Sequence, residues 1–140
     1  MAVITIKIKN LDRLKRAIDM YPEISGRHVA NAINKSIGDI RQETIPITPR
    51  KTGNLRSSYD RGGTKFATPK DLVGTFGPNL NVAPYALFVH DKHPLGGRYK
   101  NPTTKGTLPR FLEEGALRAT RRVNERFVEA LNNITNDLAK

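Results

Sequence analysis

Thr48-Pro49-Arg50-Lys51-Thr52-Gly53-Asn54-Leu55-Arg56-Ser57-Ser58 divides the chain into a helical part before it and a part after it that reads as strand. Pro49 biases Thr48 toward extended backbone and marks a helix end. Thr52 is placed to cap the turn that follows, by accepting from a backbone N–H two or three residues on. Gly53 permits an unusual turn or a close approach. Leu55 is the single apolar anchor of the run, and Arg56 beside Ser57 and Ser58 offers a guanidinium fork and two hydroxyls. The stretch therefore reads as a helix–turn–strand junction with a polar surface.

Upstream, residues 23–44 place Val29, Ile33, Ile37 and Ile40 at spacings of three and four, with Ala32 and Ser36 beside them. That is one face of an amphipathic helix. Gly26 and Gly38 weaken it by about 1 kcal/mol each, so it needs tertiary packing. Pro46 and Pro49 end it. Further upstream, Val3–Lys9 alternates apolar and polar residues, the pattern of a half-buried strand. Asn10 then caps a short helix carrying Leu11, Leu14 and Ile18 on one stripe.

Downstream, Tyr59–Lys70 holds Gly62, Gly63 and Pro69 and reads as a poorly fixed strand end and a mobile turn. Asp71–Phe76 reads as a short strand stopped by Gly77-Pro78, and Tyr85–His90 as the most apolar, central strand. Residues 91–108 show no apolar period and read as a long basic loop. From Pro109 onward Leu117, Thr120, Val123, Phe127, Leu131, Ile134 and Leu138 form a narrow seam on a long helix. The expected fold is thus α+β: one domain over residues 1–140, with a small, mainly antiparallel sheet packed against two long helices.

The chain has 140 residues, enough to bury about 68% of its unfolded surface around one core. It has no cysteine, which excludes disulfides and thiolate metal sites and fits a cytosolic protein. No apolar run approaches the ~20 residues of a membrane span, and the N-terminus shows no signal-peptide pattern. Net charge is +11, with six basic against one acidic residue over 50–70 and five against one over 88–110. Excess charge on such loops suits a polyanion or an acidic protein face.

Little in the sequence points to chemistry. His90 and His93 flank Asp91, but no third metal ligand is evident, and the trio reads as a surface turn after a strand. Ser57 or Ser58 could pair with His90 as nucleophile and base, yet no nucleophile elbow or orienting carboxylate is predictable. Gly96-Gly97-Arg98 lacks the ending of a phosphate loop. The expectation is a non-enzyme without cofactor.

The order Pro49-x-x-Thr52-Gly53-x-Leu55-Arg56-x-Ser58 resembles the tail-completion, or head–tail joining, proteins of long-tailed bacteriophages and prophages. In that family a Tyr-Ala strand ending in Glu-x-Gly-Thr comes next, then a Pro-Phe-Leu start to a C-terminal helix. Here Pro84-Tyr85-Ala86-Leu87-Phe88-Val89 is similar to the second element, with His90 where Glu is usual and Asp91-Lys92-His93 in place of Gly-Thr. Pro109-Arg110-Phe111-Leu112, with Ala116 behind, is similar to the third. The likeness runs in the family's order over roughly residues 25 to 138.

The resemblance implies a structural virion protein of the tail or neck, assembled in the host cytoplasm. It implies a homo-oligomeric ring, of six-fold type, contacting a tail-tube or tail-terminator protein and a head connector or stopper protein. No membrane partner is implied. Lys92, Arg98, Lys100 and Lys105 are the candidate assembly contacts, with non-specific DNA contact open to the same cations. The alternative is a small basic nucleic-acid-binding module, although no recognition motif or aromatic ladder is present.

Overall fold

The computed structural model describes residues 8, 11–50, 53–100, 102 and 105–140. The strand expected over residues 3–9 and the Asn10 cap lie outside the described residues apart from Ile8, and Thr52 lies outside them too. Five α-helices organise the rest: α1 (Leu11–Met20), α2 (Pro22–Thr44), α3 (Asn54–Ser58), α4 (Ala86–Asp91) and α5 (Phe111–Leu138). None is long and apolar enough to cross a membrane.

α2 begins where the sequence signals it, with Pro22 in its first turn, where a missing N–H costs nothing. It runs past Thr44 into a 3₁₀ turn over Ile45–Ile47 that Pro46 tightens. α2 and α5 pack antiparallel, and their charge pairing fixes the register. Lys35 meets Glu129, Asp39 meets Arg126, and Glu43 meets Arg122, the partners descending α5 as α2 ascends. The contact face is rich in small residues: Ala32 and Ser36 on α2, and Gly115, Ala116, Ala119 and Ala130 on α5 are buried, with Val123 and Ile134 at the same helical spacing on α5. At Gly115 the helices come so close that an added Cβ would overlap the Thr44 side chain and lie 3.0 Å from its Cα.

The expected α+β architecture is wrong. No sheet forms among the described residues, and strand pairing there is limited to one antiparallel bridge, Lys65 with Thr75. Asp71–Phe76 is extended and closes a hairpin with 64–68, but does not extend into a sheet. Tyr85–His90, expected as the central strand, is mostly the short helix α4. A short apolar run such as Tyr85 to Val89 fits a buried strand or a helical turn equally well, and Ala86 and Leu87 favour the helix. The junction likewise leads into helix α3, not a strand.

The hairpin is held against α2 on the side away from α5. Asn34 donates from Nδ2 to Ala67 O at 3.0 Å and accepts from Ala67 N at 2.8 Å on Oδ1. Its amide makes both bonds that a neighbouring strand would make. Gly74 sits against Ile33 and Ile37, and Gly26 against the Pro69 carbonyl, positions where a Cβ would clash. α2 therefore buries two faces rather than one.

Two apolar clusters result. Leu14, Val29 and Ile134 join α1, α2 and the end of α5, with Phe127 and Leu131 partly buried at the margin. The other cluster lies around the junction, at the opposite end of the α2–α5 pair.

Candidate functional site

Thr48 N donates to Ile45 O at 3.1 Å, and the Thr48 hydroxyl donates to Thr44 O at 2.8 Å. That hydroxyl has one proton, so the Tyr59 hydroxyl 2.9 Å away donates to it in turn. Thr48 and Tyr59 are fully buried, and burial drives the Tyr59 phenol far above the usual tyrosine range. The Tyr59 ring stacks on Phe76 at 4.8 Å.

Gly53 then takes φ = +83°, a left-handed conformation that sets the start of α3 and that glycine adopts at least cost. One turn on, Arg56 folds back over the stretch. Its Nε donates to Thr48 O at 2.7 Å and its Nη2 to Pro46 O at 3.2 Å. Burial, and then the charge of Arg50, lower the Arg56 pKa, although it stays cationic at any physiological pH. The guanidinium is a clamp on the end of α2.

Ser57 donates to Asn54 O at 3.1 Å and Ser58 to Leu55 O at 2.6 Å. Both hydroxyls are spent on their own helical turn, and neither forms the nucleophile–base pair with His90. His90 itself is buried, not part of a surface turn. Its Nδ1 donates to Asp91 Oδ1 at 2.7 Å, its ring meets Phe111 edge-on at 4.8 Å, and its Nε2 has no partner. The hydrogen bond from His90, then the charges of His90 and Arg110, hold Asp91 below the usual carboxylate range. Among the described residues no group of three or more His, Cys, Asp or Glu could hold a metal ion.

Arg110 is the residue that the sequence did not mark. It precedes α5 at φ = +55°, a non-glycine residue in left-handed backbone. Its N–H donates to His90 O at 2.9 Å, its Nε to His93 O at 3.1 Å, and its Nη1 reaches Asp91 and Glu113, each at 3.3 Å. These contacts tie the end of α4 to the start of α5.

The three sequence elements thus meet in one place. Leu55 from the first, Ala86 from the second, and Phe111 and Leu112 from the third share a single buried cluster with Ile47, Tyr59 and Ala83. Ser58 and Pro109 are buried beside them, and Pro49 is half-buried. Tyr85 is the exception, lying exposed just ahead of α4.

Lys92, Arg98, Lys100 and Lys105 lie outside this cluster, exposed on the loop between α4 and α5. That loop is pinned underneath. Tyr99 donates to Val89 O at 2.9 Å, burial pushes its pKa up to about 12, and Leu108 N donates to Ile47 O at 2.9 Å. A scan against protein-family models and searches of curated proteins and of solved structures find no match to the chain.

Proposed function

We propose that the protein is a structural joint of a bacteriophage tail or neck, a ring subunit that completes the tail and links it to the head connector. One observation carries this reading: the three elements on which the resemblance rests converge on one buried cluster. Residues some thirty positions apart in sequence act as a single structural unit, which supports treating them as one motif. Their polar groups cap helix ends and brace backbone instead of facing a cavity. An assembly role therefore fits better than catalysis, and the exposed cations of the α4–α5 loop supply a surface for acidic partners.

The test mixes the purified protein with the tail-tube protein of the same phage or prophage, with electron microscopy and sedimentation as readouts. Closed rings seated on tube ends are the expected result. A chain that stays off tubes but binds duplex DNA, with affinity falling steeply as salt rises, is the nucleic-acid module instead.

A further inference from the structure

The face of α5 turned away from α2 carries an apolar line and a balanced set of charges. Leu117 (59% exposed) and Val128 (45%) are about three helical turns apart, so they lie on one line along the helix. Beside that line stand Glu114, Arg118, Arg121 and Glu125, joined along the helix as Glu114–Arg118 at 3.1 Å and Arg121–Glu125 at 3.3 Å. The other charges of α5 up to Glu129 are held elsewhere: Glu113 by Arg110, Arg122 by Glu43, Arg126 by Asp39 and Glu129 by Lys35.

Charge decides which surface two copies can share. Residues 111–140 hold five basic and five acidic side chains and α2 holds three of each, so the whole net charge of +11 lies outside the two long helices. Copies that meet through the basic loops bring cation to cation, whereas the outer face of α5 presents two cations and two carboxylates. The order of those charges also selects a direction. In a parallel pair Arg121 faces Arg121 and Glu125 faces Glu125. In an antiparallel pair that sets Leu117 level with the partner's Val128, Glu125 comes level with the partner's Thr120, between the partner's Arg118 and Arg121. The register that matches the apolar residues is therefore the register that matches the charges, and two-fold symmetry makes each match twice.

We propose that two copies of the chain pair through the outer face of α5, antiparallel about a two-fold axis that passes between residues 122 and 123. Leu117 packs on the partner's Val128 at both ends of the contact, and Glu125 sits between the partner's Arg118 and Arg121. The neighbouring element fits the same direction. α1 packs beside Leu131 and Ile134 through Leu14 and is net basic, with Arg13, Lys15 and Arg16 exposed alongside Asp12 and Asp19. In the antiparallel register Leu131 comes level with the partner's Glu114, so this flank meets the acidic first turn of the partner's α5. The inference goes beyond the ring reading and does not need it. A two-fold contact closes on itself, whereas ring contacts are heterologous and use other surfaces.

Sedimentation of the purified protein should find a dimer. The chain has no cysteine, so engineered thiols report the geometry directly. Leu117→Cys and Val128→Cys are made as separate proteins, with Val73→Cys, exposed on the hairpin, as control. Under mild oxidation a mixture of the first two should link position 117 to position 128. Leu117→Cys alone should link little, because the two copies of position 117 lie ~16 Å apart along the helices, and Val128→Cys with the control should also link little. Charge reversal tests the pairing. Glu125→Arg alone, and Arg118→Glu with Arg121→Glu alone, should each sediment as monomers, since like charges then meet. An equal mixture of the two should sediment as a dimer, because Arg at 125 of one chain meets Glu at 118 and 121 of the other and the second contact stays native. Circular dichroism checks that both are folded, and if either is not, the link between 117 and 128 in the otherwise native chain decides alone. A monomeric wild-type protein, or a link no stronger than the control, overturns the proposal. So does Leu117→Cys linking to itself as readily as to Val128→Cys, which is parallel pairing, and so does a dimer that both charge variants leave intact.

Discussion

Arg126 lays its guanidinium across both oxygens of the Asp39 carboxylate, at 2.9 and 3.1 Å. Asp39 is buried on α2, and the pair spans 87 residues of sequence. The hydrogen bonds and charge of Asp39 raise the Arg126 pKa.

Arg126→Ala should destabilise the fold by about 3 kcal/mol, because it leaves a buried carboxylate short of its partner. Arg122, 3.9 Å from the same carboxylate, limits the loss. Chemical denaturation should show Asp39→Asn with Arg126→Ala to be less damaging than the sum of the single changes, since the charge left unpaired is gone.

Two glycines on the same helix pair should respond with opposite signs. Gly115→Ala forces a methyl into Thr44 and should cost about 1–3 kcal/mol. Gly38→Ala meets open space on the exposed side of α2 and should stabilise by about 1 kcal/mol. Thermal melts of the two variants should move in opposite directions.

At position 110 backbone strain and side-chain bonding can be separated. Arg110→Ala loses the contacts to His93, Asp91 and Glu113 yet keeps a Cβ at φ = +55°. Arg110→Gly loses the same contacts and relieves the strain. The glycine variant should be the more stable of the two by about 1 kcal/mol, and equal melting temperatures would argue against stored strain.

Acid should loosen the far end of the helix pair. Asp137 Oδ2 accepts from His28 at 2.6 Å and from Arg27 at 3.1 Å, and the His28 hydrogen bond holds its pKa below the usual range. A depressed carboxylate stabilises the fold fully above its unfolded pKa of about 4, and that contribution disappears as pH falls through the lower folded value. The melting temperatures of wild type and Asp137→Asn should therefore differ at neutral pH and converge in strong acid.

Periodicity made α2 and α5 legible, because each repeats apolar residues over many turns. On α5 it found Val123 and Ile134, which are buried, and Phe127 and Leu131, which pack at the margin of a core cluster. It overreached at Leu117 and Leu138, which are exposed. The small members of the buried line, Ala116, Ala119 and Ala130, were passed over because a pattern of large apolar residues does not register them. α4 was misread because the five apolar residues Tyr85 to Val89 carry no period of their own. Gly53 announced its left-handed turn, whereas nothing in an arginine announces that of Arg110. The motif residues Leu55, Ala86, Phe111 and Leu112 were legible as a set, but their common cluster depends on contacts across the whole chain.

The bidentate hold of Asn34 on Ala67 has a dynamic consequence. The hairpin over 64–76 has one bridge of its own, so its Ala67 amide is shielded by a side chain of α2 and not by a sheet. Hydrogen exchange at Ala67 should then follow the unfolding of α2 itself. Asn34→Ala should release that amide by orders of magnitude while the amides of α2 keep their protection, uncoupling the hairpin into an independent opening unit.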